Sequence, residues 1–177
     1  EHTPLSLPLL EDLPSVPAVD PGTEDVTVQE NETETLAPGR YGRLVLENHA
    51  KLILSGGRYD FQSWQIGDYG FIVAVGSCEI VVAGRLTTGA SVQIRPEEGS
   101  SSVVERDILI YAGGEAGADP EYSPLAVDIG KNNHVNALVY APDGLVIIGE
   151  HAEATATFFG RWIRVDKEAQ LHLPSQK

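Results

Sequence analysis

The sequence predicts an all-β protein: a single-domain parallel β-helix (solenoid), right-handed, with an extended Pro-rich N-terminal arm. Three observations predict it. β-rich runs of three or four residues recur about eight to ten residues apart. Gly, Asn and Asp punctuate the gaps, as in Gly56-Gly57, Gly67-Asp68, Asn132-Asn133 and Asp143-Gly144. Gly39-Arg40-Tyr41 returns as Gly57-Arg58-Tyr59, 18 residues later, close to the length of one solenoid coil. Right-handed winding follows from the chirality of parallel β crossovers.

Residues 1–25 form the arm. Pro4, Pro8, Pro14, Pro17 and Pro21 fix φ and remove backbone donors, which excludes helix and central strand and leaves an extended chain. Leu5, Leu7, Leu9 and Leu10 make the arm more apolar than a linker. Fully burying each would contribute roughly 1.5–3 kcal/mol, so the arm is expected to lie in a groove of its own domain or of a neighbour. These four Leu are candidate subunit contacts.

Residues 26–177 form the β-helix domain. Its runs include Val26-Thr27-Val28, Leu44-Val45-Leu46, Leu52-Ile53-Leu54, Phe61 to Ile66, Phe71-Ile72-Val73 and Ile80-Val81-Val82. They continue with Val92-Gln93-Ile94, Ile108-Leu109-Ile110, Val127-Asp128-Ile129, Ala137-Leu138-Val139, Leu145-Val146-Ile147 and Trp162 to Val165. Most are shorter than sandwich strands and apolar at their centres, which favours a solenoid over a sandwich. No window holds a helical apolar stripe free of Gly and Pro. The nearest, His151 to Phe159, reads equally as a strand because Ala152, Ala154 and Ala156 alternate. Residues 95–107 and 112–124 read as loops protruding from the coils. Leu171-His172-Leu173-Pro174 reads as the last strand, stopped by its Pro. Solenoid ends carry unpaired backbone groups, so Leu171 and Leu173 are further candidate subunit contacts.

Charge narrows the partners. The formal net charge is −14, and residues 1–39 hold nine of the 26 acids and no Lys or Arg. That balance argues against nucleic acid, which needs a clustered basic surface, and against anionic membranes. No run approaches the roughly 20 apolar residues of a membrane span. The sequence opens at Glu1 and contains no Met, which reads as removal of a signal peptide from an exported precursor. Cys78 stands alone, as a core residue, and scarcity of Cys suits an extracellular, cell-surface or periplasmic setting.

A search for chemistry finds no catalytic, cofactor-binding or metal-binding constellation. The five His show no paired metal spacing, and there is no nucleophile elbow, phosphate loop or calcium loop. Asp128 with Lys131 and Asp166 with Lys167 mimic the acid and base faces of β-helical polysaccharide lyases, without the long insertions that build a cleft. Arg40, Tyr41, Arg58 and Tyr59 are expected near one another on adjacent coils, either as a ladder securing a turn or as surface contacts to a sugar or subunit. Trp64 and Trp162 read as core or coil-cap aromatics.

The stretch from about 34 to 173 resembles the β-helical domains of bacterial polymer-forming (bactofilin-like) proteins, and of related pilus-associated and surface-anchored proteins. The resemblance lies in Thr35 to Gly42, Leu52 to Phe61, Val139 to Gly144, Ile148 to Ala152 and Val165 to Ala169. It implies a structural or assembly role and no transferable site residue. The expected function is therefore an exported, non-enzymatic structural protein that self-associates through its β-helix ends and arm, as the subunit of an extracellular filament. A surface adhesin or a carbohydrate- or ice-binding module is the alternative. Thr87-Thr88 and Thr155/Thr157 are sparse for such an array. A polysaccharide lyase or hydrolase comes third.

Overall fold

The computed structural model describes residues 16–98, 107–115 and 124–172. Within them the chain winds as a parallel β-solenoid of about 7 coils, each coil turning through three faces. The first coil holds β1 (Val26–Val28), β2 (Thr33–Leu36) and β3 (Gly39–Arg40); the second holds β4 (Arg43–Leu46), β5 (Lys51–Leu54) and β6 (Gly57–Phe61). Next come β7 (Ser63–Ile66), β8 (Phe71–Ala74) and β9 (Cys78–Val82), then β10 (Leu86–Thr88), β11 (Gln93–Pro96) and β12 (Ile108–Ala112). The fifth coil starts with β13 (Leu125–Ile129) and β14 (His134–Val135) and closes in β15 (Leu138–Ile148), which turns the corner and opens the sixth. β16 (Glu153–Thr155), β17 (Thr157–Val165) and β18 (Gln170–His172) complete the stack, β17 rounding its corner as β15 does. Among the described residues there is no helix long and apolar enough to cross a membrane.

Stacking brings residues one coil apart into register, so that columns of side chains fill a narrow core. On the first face Val26, Leu44, Trp64, Leu86, Val127, Val146 and Ile163 form one column. On the second, Glu34, Leu52, Ile72, Ile94, Val135, Ala154 and Leu171 form another. The core tapers along the axis. Its early coils hold Tyr59, Phe61 and Trp64, with Phe61 stacked on Tyr41 at 5.4 Å and edge-on to Trp64 at 5.2 Å. Its late coils hold Ala137, Ala141, Ala152, Ala154 and Ala156. The late coils are also shorter than the one built on Trp64. Trp64 pairs with Leu86, 22 positions on, but Val146 pairs with Ile163, only 17 on. A shorter coil encloses a smaller cross-section, and close packing there favours small side chains such as Ala152 and Ala154 beside Val146 and Ile148.

One corner repeats in every coil. Between the first and second faces Asn31, His49, Tyr69, Ser91, Asn132, His151 and Glu168 all have φ between 56° and 62°. Left-handed backbone costs a non-Gly residue about 1–2 kcal/mol. A ladder of hydrogen bonds offsets this: the His49 N–H donates to the Asp68 carbonyl at 2.9 Å, Tyr69 to Ala90 at 2.8 Å, Ser91 to Lys131 at 2.8 Å and Asn132 to Glu150 at 3.0 Å. From the second coil on, the next residue points inward and is usually small. In the fifth coil it is the buried Asn133, whose Oδ1 accepts from the Val92 N–H at 2.8 Å and whose Nδ2 donates to Thr88 Oγ1.

Three expectations change in detail. The repeated triplets are not stacked on each other. Gly39 pairs with Tyr59 and Arg40 with Asp60, an offset of 20, so the 18-residue spacing of the triplets leaves them two positions out of register. Arg95 and Pro96 belong to β11 and Ala112 to β12, which shortens both expected loops; residues 99–106 and 116–123 lie outside the described residues. The candidate contacts Leu5, Leu7, Leu9, Leu10 and Leu173 also lie outside them.

Candidate functional site

Of the four expected surface contacts, the structure keeps two on the surface. Tyr59 is the clear correction. It is fully buried and its hydroxyl donates to the Leu36 carbonyl at 3.0 Å, because the alternation of β6 turns it inward. Burial pushes its pKa up to about 12. Tyr41 is half-buried on Phe61 and donates to the Ala37 carbonyl at 2.7 Å, which pins the turn it sits in. Arg40 and Arg58 face outward on the third face. Arg40 pairs with Asp20 at 2.7 Å. Arg58 reaches Asp60 at 2.9 Å and Glu79 at 3.4 Å, and donates to the Ala18 carbonyl at 2.6 Å. The hydrogen bonds to Asp60, and then its charge with that of Glu79, hold the Arg58 guanidinium more firmly protonated.

These arginines therefore fasten the end of the arm to the first coils. The strap continues: the Gly42 N–H donates to the Glu24 carbonyl at 2.7 Å, and Arg43 grips Asp25 through its guanidinium at 2.8 Å. Asp25 is held below the usual carboxylate range, chiefly by the Arg43 side chain and backbone bonds. Gly22 lies so close under Arg40 that a Cβ would meet its carbonyl oxygen, and only Gly passes there. The N-terminal end is thus strapped along its third-face edge. Val28 is fully buried, and Glu34 stands at the foot of the second-face core column. Residues 16–36 carry six acids and no base.

Among the described residues no coil is stacked on the C-terminal one. Ile163, Val165 and Leu171 continue the core columns yet are 45%, 47% and 47% exposed. Among the described residues β17 and β18 pair only with the coil below, as β1 and β2 at the other end pair only with the coil above. Residues 161–172 carry Arg161, Arg164 and Lys167 against Asp166 and Glu168. Leu171, a candidate contact in the sequence, is exposed here, and so are Ile163 and Val165, which the sequence did not single out. Their signal was available: they are the last members of columns whose period the sequence sets.

The lyase-like pairs do not form. Lys131 pairs with Glu150 at 3.1 Å, Lys167 with Glu168 at 3.1 Å, and Asp166 with Arg164 at 3.2 Å. Asp128 faces outward on β13, with its carboxyl raised by partial burial. His151 sits in the corner column beside Glu168 at 3.1 Å, whereas His172 stacks on Thr155, so the two do not share a column. Among the described residues no group of three or more His, Cys, Asp or Glu is gathered that could hold a metal. Cys78 is buried, and burial pushes its thiol up to about 11. Trp64 is buried too, its Nε1 lacking an acceptor, and Trp162 lies under Arg161, whose guanidinium is 4.4 Å from the ring centre.

The architecture and its two unlike ends define the class: a parallel β-solenoid with a strap along one edge of its N-terminal coil and exposed apolar side chains on its C-terminal coil. No family model, curated protein or solved structure matches the chain.

Proposed function

We propose that this chain is a non-enzymatic structural protein that works outside the cytoplasm, and that it assembles with its own copies through the open C-terminal end. The observation that carries this reading is the exposure of Ile163, Val165 and Leu171 in positions that the coil below buries with Val146, Ile148 and Ala154. Covering the exposed half of each contributes roughly 1 kcal/mol, about 3 kcal/mol in all. Association costs at least about 4 kcal/mol, so side chains alone do not suffice and the free edges of β17 and β18 must pair with backbone. The N-terminal coil of a second copy offers parallel edges of the same spacing in β1 and β2. Its six acids and the slightly basic C-terminal coil are complementary. In that register Ile163 would cover Val26, Val165 would cover Val28, and Leu171 would cover Glu34. Such a head-to-tail contact does not close on itself and yields a filament. The resemblance to polymer-forming bacterial β-helices supports the same reading. The single Cys, sealed in the core, suits oxidising surroundings.

Sedimentation velocity and electron microscopy of the full chain over a wide concentration range test it. Concentration-dependent growth into linear particles is expected; a chain that stays monomeric at the highest concentrations would overturn it.

A further inference from the structure

The corner ladder stops one bond short. Asn31, His49, Tyr69, Ser91, Asn132 and His151 each donate their N–H to a carbonyl of the next coil, the last of them to Lys167 at 3.1 Å. Glu168 holds the same left-handed conformation, φ 59°, with no coil above it among the described residues. It bears the cost of that conformation without the bond that offsets it in the other coils. The acceptor is always the residue just before a corner, as with Lys131, Glu150 and Lys167. In the first coil that residue is Glu30, and no coil lies below it among the described residues.

Side chains in this position alternate in charge near the C-terminal end. Lys131 reaches Glu150 on the next coil at 3.1 Å, and Lys167 follows one coil further on. Lys167 is 75% exposed and leans on Glu168 of its own turn. Glu30 is exposed too, and its N–H donates to the Glu47 carboxylate at 3.0 Å, which steadies the turn that carries it. A second exposed cation, Arg161, lies over Trp162 where β17 rounds from the third face to the first. At the same corner of the first coil stands the exposed Glu24, whose carbonyl accepts from the Gly42 N–H.

We propose that the joint between copies continues the coil spiral, with Glu30 of the second copy standing over Lys167 and its Glu24 over Arg161. This rests on the head-to-tail assembly above and fixes its register. Glu30 with Lys167 and Glu24 with Arg161 are each 137 positions apart, the same offset that sets Val26 over Ile163 and Glu34 over Leu171. The Glu168 N–H then donates to the Glu30 carbonyl and completes the ladder. Charge alternates unbroken from Lys131 through Glu150 and Lys167 to Glu30. The strap lies on the third face, clear of β1 and β2. Ion pairs at two separate corners select one rotation of copy on copy, which apolar contacts alone do not.

Sedimentation velocity of the full chain, with charge reversals made singly and in pairs, tests the register. Lys167→Glu, Glu30→Lys, Arg161→Glu or Glu24→Lys alone should each weaken association about fivefold, because an exposed ion pair becomes a like-charge contact. Lys167→Glu combined with Glu30→Lys should return association to within about twofold of the native chain, as should Arg161→Glu combined with Glu24→Lys. The crossed combinations, Lys167→Glu with Glu24→Lys and Arg161→Glu with Glu30→Lys, should recover nothing. Equal recovery from matched and crossed combinations, or none from the matched ones, would overturn this register while native assembly stands. A native chain that stays monomeric would remove both.

Discussion

At the N-terminal end Val28 is fully buried, Glu34 stands in a core column and residues 18–25 are strapped along the third-face edge. At the C-terminal end Ile163, Val165 and Leu171 hold equivalent columns and are each nearly half exposed. The contrast teaches that a repeat makes both ends equally adhesive, and that only added features tell them apart. A strap and an inward acid guard one end; the other has neither among the described residues. Glu34 is exposed in the single chain and stacking would desolvate it, so it weakens a contact at that end without forbidding one.

The comparison breaks first at Val165. Val165→Asp should weaken self-association at least about 100-fold, roughly 3 kcal/mol, because a carboxylate would be buried in the junction. Sedimentation would show it, and unchanged assembly would remove the C-terminal end from the interface. In the monomer the order reverses. Val28→Ala should cost about 2 kcal/mol in urea unfolding, as loss of a buried side chain does, and Val165→Ala less than about 1 kcal/mol. Equal losses would mean that the two ends are equally packed. Glu34→Leu sharpens the comparison further. If the mate is the N-terminal coil, replacing the acid under Leu171 should tighten association about tenfold, near 1.4 kcal/mol. If two C-terminal ends meet instead, the change should have no effect.

The smallest effects are in pH dependence, with opposite signs in the two halves. Asp25 is depressed in the folded state, so its contribution is present above the unfolded pKa, near 4, and is lost as pH falls through the lower folded value. Asp25→Asn should remove that acid-side loss. Asp128 is raised, chiefly by desolvation, so its contribution is fully present below the unfolded pKa and is lost as pH rises through the folded one. Asp128→Asn should therefore stabilise the chain at neutral pH, and thermal melts across pH 3 to 7 (chosen as about one pH step either side of the carboxylate range) would check both.

The fold class was legible because stacked coils write themselves into sequence as short apolar runs and regular turns. The first strand, β1, begins at Val26, just after the run of closely spaced prolines ends at Pro21. Register was harder. A matching triplet is a local likeness, whereas register is set by which side chains can enter the core, and Tyr59 went in while Arg58 stayed out. β14 leaves little trace in the sequence, because His134 is exposed and only Val135 fills the column. The site was the least legible part. Ile163 and Val165 look like any other strand residues until it is known that no further coil lies over them in the described chain. The grip of Arg40 and Arg58 on Asp20 and Ala18 joins residues 20 and 40 positions apart, beyond any local pattern.

The left-handed corner has a consequence for how much this chain can be altered. Successive corner residues are 18, 20, 22, 19 or 17 positions apart, except that Asn132 follows Ser91 by 41. The extra length falls wholly in the two connections that flank β12, on the far side of the coil from the corner ladder. The ladder reads only where each coil returns and is indifferent to how long the chain was away. The molecule thus has a fixed spine and an adjustable margin. Foreign peptides spliced into the connection between β11 and β12, or between β12 and β13, should be displayed with the stack unshifted, whereas one residue inserted beside Tyr69 or Asn132 should misalign every coil above it.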